Sequence, residues 1–321
     1  MRLGACLVAA CVLLHAPWAV AGQRFALVVS GAAGGREYVA QYDRWTADLS
    51  KSLVENLKFD SALVTVLSDT AQPASASTAD NVRRVVGSIA SRMSRDDVLL
   101  IVLIGHGTFD GTDAKFNLVG RDLESAEWSA LLRPLPGRLV IVNTASASFP
   151  FLERLAAPRR IVVTATDSPA QRFDTVFPEY FIHALADTAA DLDKNGRISV
   201  WEAFAAASVN VRRYYQQRGQ LSTERALLDD NGDGVGNESS SPGDDGSHAS
   251  RTYFDESLPG AAPTDEVLLK LLQRKTMLET EVDELKIRKT FLSATEYAKE
   301  FERIMIELAQ VSHDIRARTK S

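Results

Sequence analysis

The chain has 321 residues, 45% of them apolar and 24% charged, with a formal charge of −6 and a pI near 5.5. That balance suits one large globular domain plus an appendage, and excludes a disordered, collagen-like or small disulfide-stapled chain. The acidic excess argues against a nucleic-acid partner, which needs clustered Lys and Arg.

Residues 1–21, MRLGACLVAACVLLHAPWAVA, carry one Arg, an apolar run and Ala19-Val20-Ala21 before Gly22. This is the layout of a secretory signal peptide, and predicts export to the periplasm or the exterior. Val8-Ala9-Ala10-Cys11 looks like a lipoprotein box, but the apolar stretch runs on past the cysteine. His15 and Pro17 leave that stretch short for a membrane span. Cleavage after Ala21 leaves 35 basic against 42 acidic residues and no cysteine, because the two cysteines are Cys6 and Cys11. The mature chain is therefore expected to have no membrane anchor, no disulfide and no thiolate chemistry.

Apolar runs then alternate with helical patterns. Strands are predicted at Phe25–Ser30, Ala62–Leu67, Val98–Ile104, Leu139–Val142 and Ile161–Ala165, the third an uninterrupted apolar run suited to a central strand. Helices are expected over 39–57, where Tyr42, Trp45, Leu49 and Leu53 share a face, and over 79–92, 124–132 and 151–157. The alternation predicts an α/β domain over 22–190, with a mostly parallel sheet flanked by helices. A helix over 177–188, an Asp-rich loop and a helix ending near Arg218 follow, in a calcium-binding region spanning 177–236. Residues 237–263, rich in Ser, Gly, Asp and Pro, read as a flexible linker.

In 264–321, Leu271, Leu278, Leu285 and Leu292 recur every seven residues. Ser293-Ala-Thr-Glu296 is a capping-box signature, and Tyr297, Phe301, Ile304, Leu308, Val311 and Ile315 step by four and three. Two such helices predict an antiparallel hairpin suited to self-association or a protein partner.

The most specific motif is Asp191-Leu-Asp193-Lys-Asn195-Gly196-Arg197-Ile198-Ser199-Val200-Trp201-Glu202, which fills the twelve-residue EF-hand template. Ca²⁺ takes six to eight oxygens, so Asp191, Asp193 and Asn195 alternate along the loop, and Gly196 permits the turn. Arg197 offers a carbonyl, Ser199 binds directly or through water, and Glu202 closes the site with two oxygens. Asp229-Asp230-Asn231-Gly232-Asp233-Gly234 begins in the same way but reaches Ser240 at the twelfth place. It reads equally as a weaker cation loop or as a solvated turn.

The central strand ends in Gly105-His106-Gly107, and the next one runs into Asn143-Thr-Ala-Ser146-Ala-Ser148. Ligands bind beyond the carboxyl ends of strands in open α/β sheets, so His106 belongs on that rim. Asp110 is the carboxylate nearest to it in sequence. Here the chain resembles the legumain-like branch of the caspase-type cysteine peptidases over about residues 23–215. In that family a His-Gly follows one central strand and a Cys, commonly in Cys-x-Ser-Gly, follows the next. His106-Gly107 matches the first element, and Ser146-Ala147-Ser148 matches the second in spacing. Ser146 then stands where the family has Cys, and a shift by one puts Ala145 there. The resemblance implies a caspase-like sheet, His106 as the base and the Gly107 N–H as an oxyanion donor. It leaves three expectations: a pseudo-peptidase that binds peptide or protein, a serine hydrolase using Ser146 and His106, or a structural protein acting through its hairpin.

Overall fold

In the computed structural model the described residues are 22–255, 266–289 and 292–319. The signal segment with Cys6 and Cys11, and residues 256–263 of the expected linker, lie outside them.

Strand β3 (Val98–Ile104) is apolar at every position because both of its faces are covered. It pairs in parallel with β1 (Arg24–Ser30) on one side and with β7 (Arg138–Asn143) on the other. Beyond β1 lies β2 (Val64–Leu67), and beyond β7 lie β8 (Arg160–Thr164) and β9 (Leu227–Asp229). The six-stranded order is β2-β1-β3-β7-β8-β9, parallel except for β9, which runs antiparallel to β8. The fold is α/β, as composition and alternation predict.

Side chains alternate between the two sheet faces, and each set builds its own core. Ala26, Val28, Leu100, Val102 and Val140 pack under α1 (Arg36–Lys51), α5 (Phe177–Ala184) and α6 (Val200–Gln217). Phe25, Leu27, Leu99, Ile101 and Ile141 pack under α2 (Ala79–Ala90), α3 (Ser125–Leu132) and α4 (Phe149–Leu155). Helix α1 widens into a π-helical turn over Ser52–Asn56, so Leu53 still reaches the core while the helix winds more loosely.

A small antiparallel sheet, β4 (Gly107–Phe109), β5 (Ala114–Phe116) and β6 (Leu123–Glu124), follows β3 directly. The sequence pattern gives no sign of it, because its strands have two or three residues each. The expected 177–188 helix stops at Ala184, and a short 3₁₀ turn, Thr188–Ala190, leads into the acidic loop. The loop thus has a regular helix only on its exit side.

The expectation of a flexible linker over 237–263 fails for 237–255. Asp230 accepts the N–H groups of Gly246, His248 and Ala249, and Asp245 accepts the Asp230 N–H and an Asn237 side-chain N–H. Asn237 bridges to Leu228, Tyr253 bridges to Ser199, and Ala249 and Phe254 are buried. Buried carboxylates tie this polar segment down by satisfying its backbone donors.

Helices α7 (Glu266–Arg288) and α8 (Ala294–Thr319) close on Leu268, Leu272, Leu278, Leu285, Ile304 and Ile315. Arg274 pairs with Glu307 and Arg303 with Glu281, a register that rises on one helix as it falls on the other, so the hairpin is antiparallel. The capping box at its turn forms as read, with Ser293 Oγ donating to Glu296 and accepting the Glu296 N–H. Among the described residues no helix is long and apolar enough to cross a membrane.

Candidate functional site

Strand order reverses beside β1, so the carboxyl ends of β1, β3 and β7 open together on one rim. β1 delivers Ala33, β3 delivers His106, and β7 delivers Ser146. The β3–β7 pairing runs to Leu103 opposite Asn143, and the Thr144 N–H then donates to the Leu103 carbonyl. The two motifs singled out in the sequence therefore lie on neighbouring strand ends.

His106 is held from both ring nitrogens. Nδ1 faces Asp174 Oδ1 at 3.2 Å, and Nε2 lies 3.2 Å from the Ala33 carbonyl oxygen. Tyr38 and Tyr42 meet the imidazole edge-on, with centroids 4.7 and 5.6 Å away. The Tyr38 hydroxyl donates to Asp174 Oδ2 at 2.5 Å, and this bond raises the phenol pKa above its ordinary value. Asp174 thus joins Tyr38 and His106, a role the sequence offers no means of finding, since 68 residues separate Asp174 from His106. Asp110 is not the orienter of His106. It pairs with Lys115 at 3.0 Å and accepts the Thr112 and Asp113 N–H groups, contacts that hold its carboxyl well below the usual range.

Ser146 is buried, and its hydroxyl serves one peptide group on each side of Gly107. Oγ accepts the Gly107 N–H at 3.2 Å and donates to the Gly107 carbonyl at 3.1 Å. Neither ring nitrogen of His106 has Ser146 as a hydrogen-bond partner. Only glycine fits at position 107, because a Cβ there would lie 2.2 Å from the Ser146 carbonyl oxygen. Ala145 is also buried, its N–H held by Asn143 Oδ1. Ala147 takes a left-handed φ of 50°, unusual for a residue with a Cβ, and the Gln171 carbonyl accepts its N–H at 2.7 Å.

The segment over 165–176 forms the far wall. Ser148 and Thr166 share hydroxyl contacts, and Thr175 Oγ1 donates to the Thr144 carbonyl. Its end is fixed by Glu224, whose carboxylate accepts the Val176 and Phe177 N–H groups at 2.8 and 3.1 Å and the Tyr215 hydroxyl at 2.9 Å. Burial pushes Glu224 up to about 7 despite these donors. The void at His106 is about 10 Å³, room for a single water. A larger hollow of about 570 Å³ lies between α1 and α5, lined by Arg44, Trp45, Asp48, Glu179 and His183.

The second candidate is the 191–202 loop. Carboxylate oxygens of Asp191, Asp193 and Glu202 all lie within 4.8 Å of one another and are buried; among the described residues no other such group of His, Cys, Asp or Glu converges. Asp191 accepts the Asn195 and Gly196 N–H groups, Asp193 accepts the Asn195 N–H, and Asn195 Oδ1 accepts the Arg197 N–H. Lys194 and Gly196 take left-handed backbone angles, the latter with φ 82°. Ser199 caps α6, with its hydroxyl donating to Glu202 and accepting the Glu202 N–H. The Arg197 side chain turns away to Asp255 and stacks on Tyr253. Burial, then the Glu202 charge, pushes Asp193 up to about 7, and burial raises Glu202 as well. The residues fit a hard cation: three buried carboxylates offer oxygens that share one small volume.

Asp229 accepts the Gly232 and Gly234 N–H groups, and Asn231 Oδ1 accepts the Asp233 N–H, the turn pattern of the first loop. Among the described residues no third carboxylate closes this second loop as Glu202 closes the first.

No protein-family model and no curated protein matches the chain. Among solved structures it is similar to protein GSU0716 from Geobacter sulfurreducens, at 14% identity over 64% of this chain and 92% of that one, with a TM-score of 0.44. It is also similar to caspase-1 from Spodoptera frugiperda, at 9% identity over 71% of this chain and 94% of that one, with a TM-score of 0.44.

Proposed function

We propose that the chain is an exported relative of the legumain-like, caspase-type peptidases that binds an extended peptide or protein segment without cleaving it, and that holds Ca²⁺ in the 191–202 loop. One observation carries the loss of cleavage: Ser146 Oγ sits on the Gly107 N–H, the donor that an oxyanion would need. The hydroxyl is thus held in the oxyanion position rather than activated by the imidazole, whose nitrogens are engaged with Asp174 and Ala33. A serine without a base in contact is a weak nucleophile. Residues 22–321 contain no thiol to replace it.

Binding is supported by β4, the outer strand of the small sheet, which starts at Gly107 beside the rim. An edge strand can take an extended chain as a further strand, here past Gly107, whose own N–H and carbonyl are held by Ser146 Oγ. The neighbouring rim supplies Asp174, half-exposed, and Tyr38 as side-chain contacts.

The test pairs a peptide library with a serine-directed phosphonate. The full mature chain is expected to retain a subset of peptides, release no fragments and take no label. Hydrolysis or labelling that disappears in both Ser146→Ala and His106→Ala overturns this reading in favour of the serine hydrolase. Retention of no peptide by the wild type removes the binding role.

A further inference from the structure

Leu192 lies between two of the loop carboxylates, and its side chain packs against both the α1/α5/α6 core and the hairpin core. Its backbone is also held from two sides. The Leu192 N–H donates to Glu202 Oε1 at 2.8 Å, while its carbonyl accepts from Lys275 Nζ of α7 at 3.2 Å. A second tether lies nearby, where Gln273 Nε2 donates to the Asp245 carbonyl at 3.0 Å. Helix α7 therefore docks on the acidic loop and on the ordered segment beside it.

We infer that cation occupancy of the 191–202 loop governs docking of the C-terminal hairpin onto the α/β domain, with Leu192 as the coupling residue. The inference rests on the calcium reading of the same loop. Asp191, Asp193 and Glu202 are mutually repulsive when ionised, and a bound cation would offset that repulsion. Without neutralisation the loop relaxes outward, and Leu192 sits in its first turn. Movement there withdraws both the carbonyl that Lys275 grips and the apolar contact shared by the two cores. A cation draws the three carboxylates together and fixes Leu192 where α7 can engage it. Linkage makes the effect reciprocal: a docked hairpin tightens the loop around its cation. The surface covered by α7 then becomes available or hidden according to calcium concentration.

Hydrogen exchange of α7 and α8 in the full chain tests this, measured with calcium and with a chelator beside titration calorimetry of Ca²⁺. Calcium is expected to slow exchange in α7. Lys275→Met and Leu192→Ala keep every proposed ligand, and each should weaken Ca²⁺ binding roughly fivefold or more while abolishing the calcium-dependent protection. Binding heat with unchanged α7 exchange overturns the coupling and leaves the calcium site standing. Absence of binding heat overturns the calcium reading, and the coupling with it. Wild-type affinity in both variants also overturns the coupling.

Discussion

Adding Ca²⁺ to the chelator-stripped chain raises its melting temperature, with a stabilisation of about 2.7 kcal/mol at a free cation concentration one hundred times Kd. The size follows from mass action, and the direction follows from the loop. Asp191, Asp193 and Glu202 are 7%, 1% and 1% exposed, so their charges are poorly screened by water. Their present partners are N–H and O–H donors of the loop itself, which offset part of the desolvation but do not cancel like-charge repulsion. A divalent cation removes that repulsion in the folded state, whereas the unfolded chain has no assembled site. The double variant Asp191→Ala with Glu202→Gln should lose the entire increment, as measured by scanning calorimetry with and without calcium. Extracellular modules bind Ca²⁺ at roughly 10⁻⁴–10⁻³ M, so the titration must extend to tens of millimolar. A wild-type transition that stays flat over that range ends the calcium assignment.

How much of this molecule could be read from its sequence depends on the distance over which each feature is decided. Val98–Ile104 announces a buried central strand because its own residues leave no polar face. The 191–202 loop is equally local: all of its carboxylates and its turn glycine fall within twelve residues. His106 and Ser146 are placed correctly on the rim by strand ends alone, but what each touches is not. Asp174, Ala33 and Tyr38 arrive from three other segments, so proximity in sequence favours Asp110, which folds back onto Lys115 instead. Residues 237–255 mislead for a related reason. Their composition is that of a solvated loop, and the buried Asp230 and Asp245 carboxylates that order them are indistinguishable in sequence from surface acids.

Glu224 provides the second large expected effect, and it also lies outside what local pattern reveals. Replacing it by Ala strands the Val176 and Phe177 N–H groups at the start of α5 and the Tyr215 hydroxyl, a cost of about 3 kcal/mol. For a chain of this size that corresponds to a fall of roughly 5 °C in melting temperature. The same residue sets a pH dependence. Its folded pKa, about 7, stands above the ordinary carboxylate value, so the folded state binds the proton more tightly than the unfolded state does. The stability this confers is complete below the unfolded pKa and is lost as pH rises through about 7, with a slope of up to about 1.4 kcal/mol per pH unit. Asp193 is pushed up to about 7 as well, so the measurement is made at saturating calcium, where the proposed cation would hold the loop carboxylates. Under that condition Glu224→Gln, which cannot titrate, should show a shallower decline from pH 5 to pH 8 than the wild type. Because Val176 and Phe177 follow directly on Asp174 and Thr175, loosening this cap also frees the carboxylate that holds His106. Glu224→Ala should therefore weaken peptide retention at temperatures where the variant is still folded. Equal pH slopes in wild type and Glu224→Gln would mean that Glu224 ionises normally, and undiminished retention in Glu224→Ala would disconnect this cap from the rim.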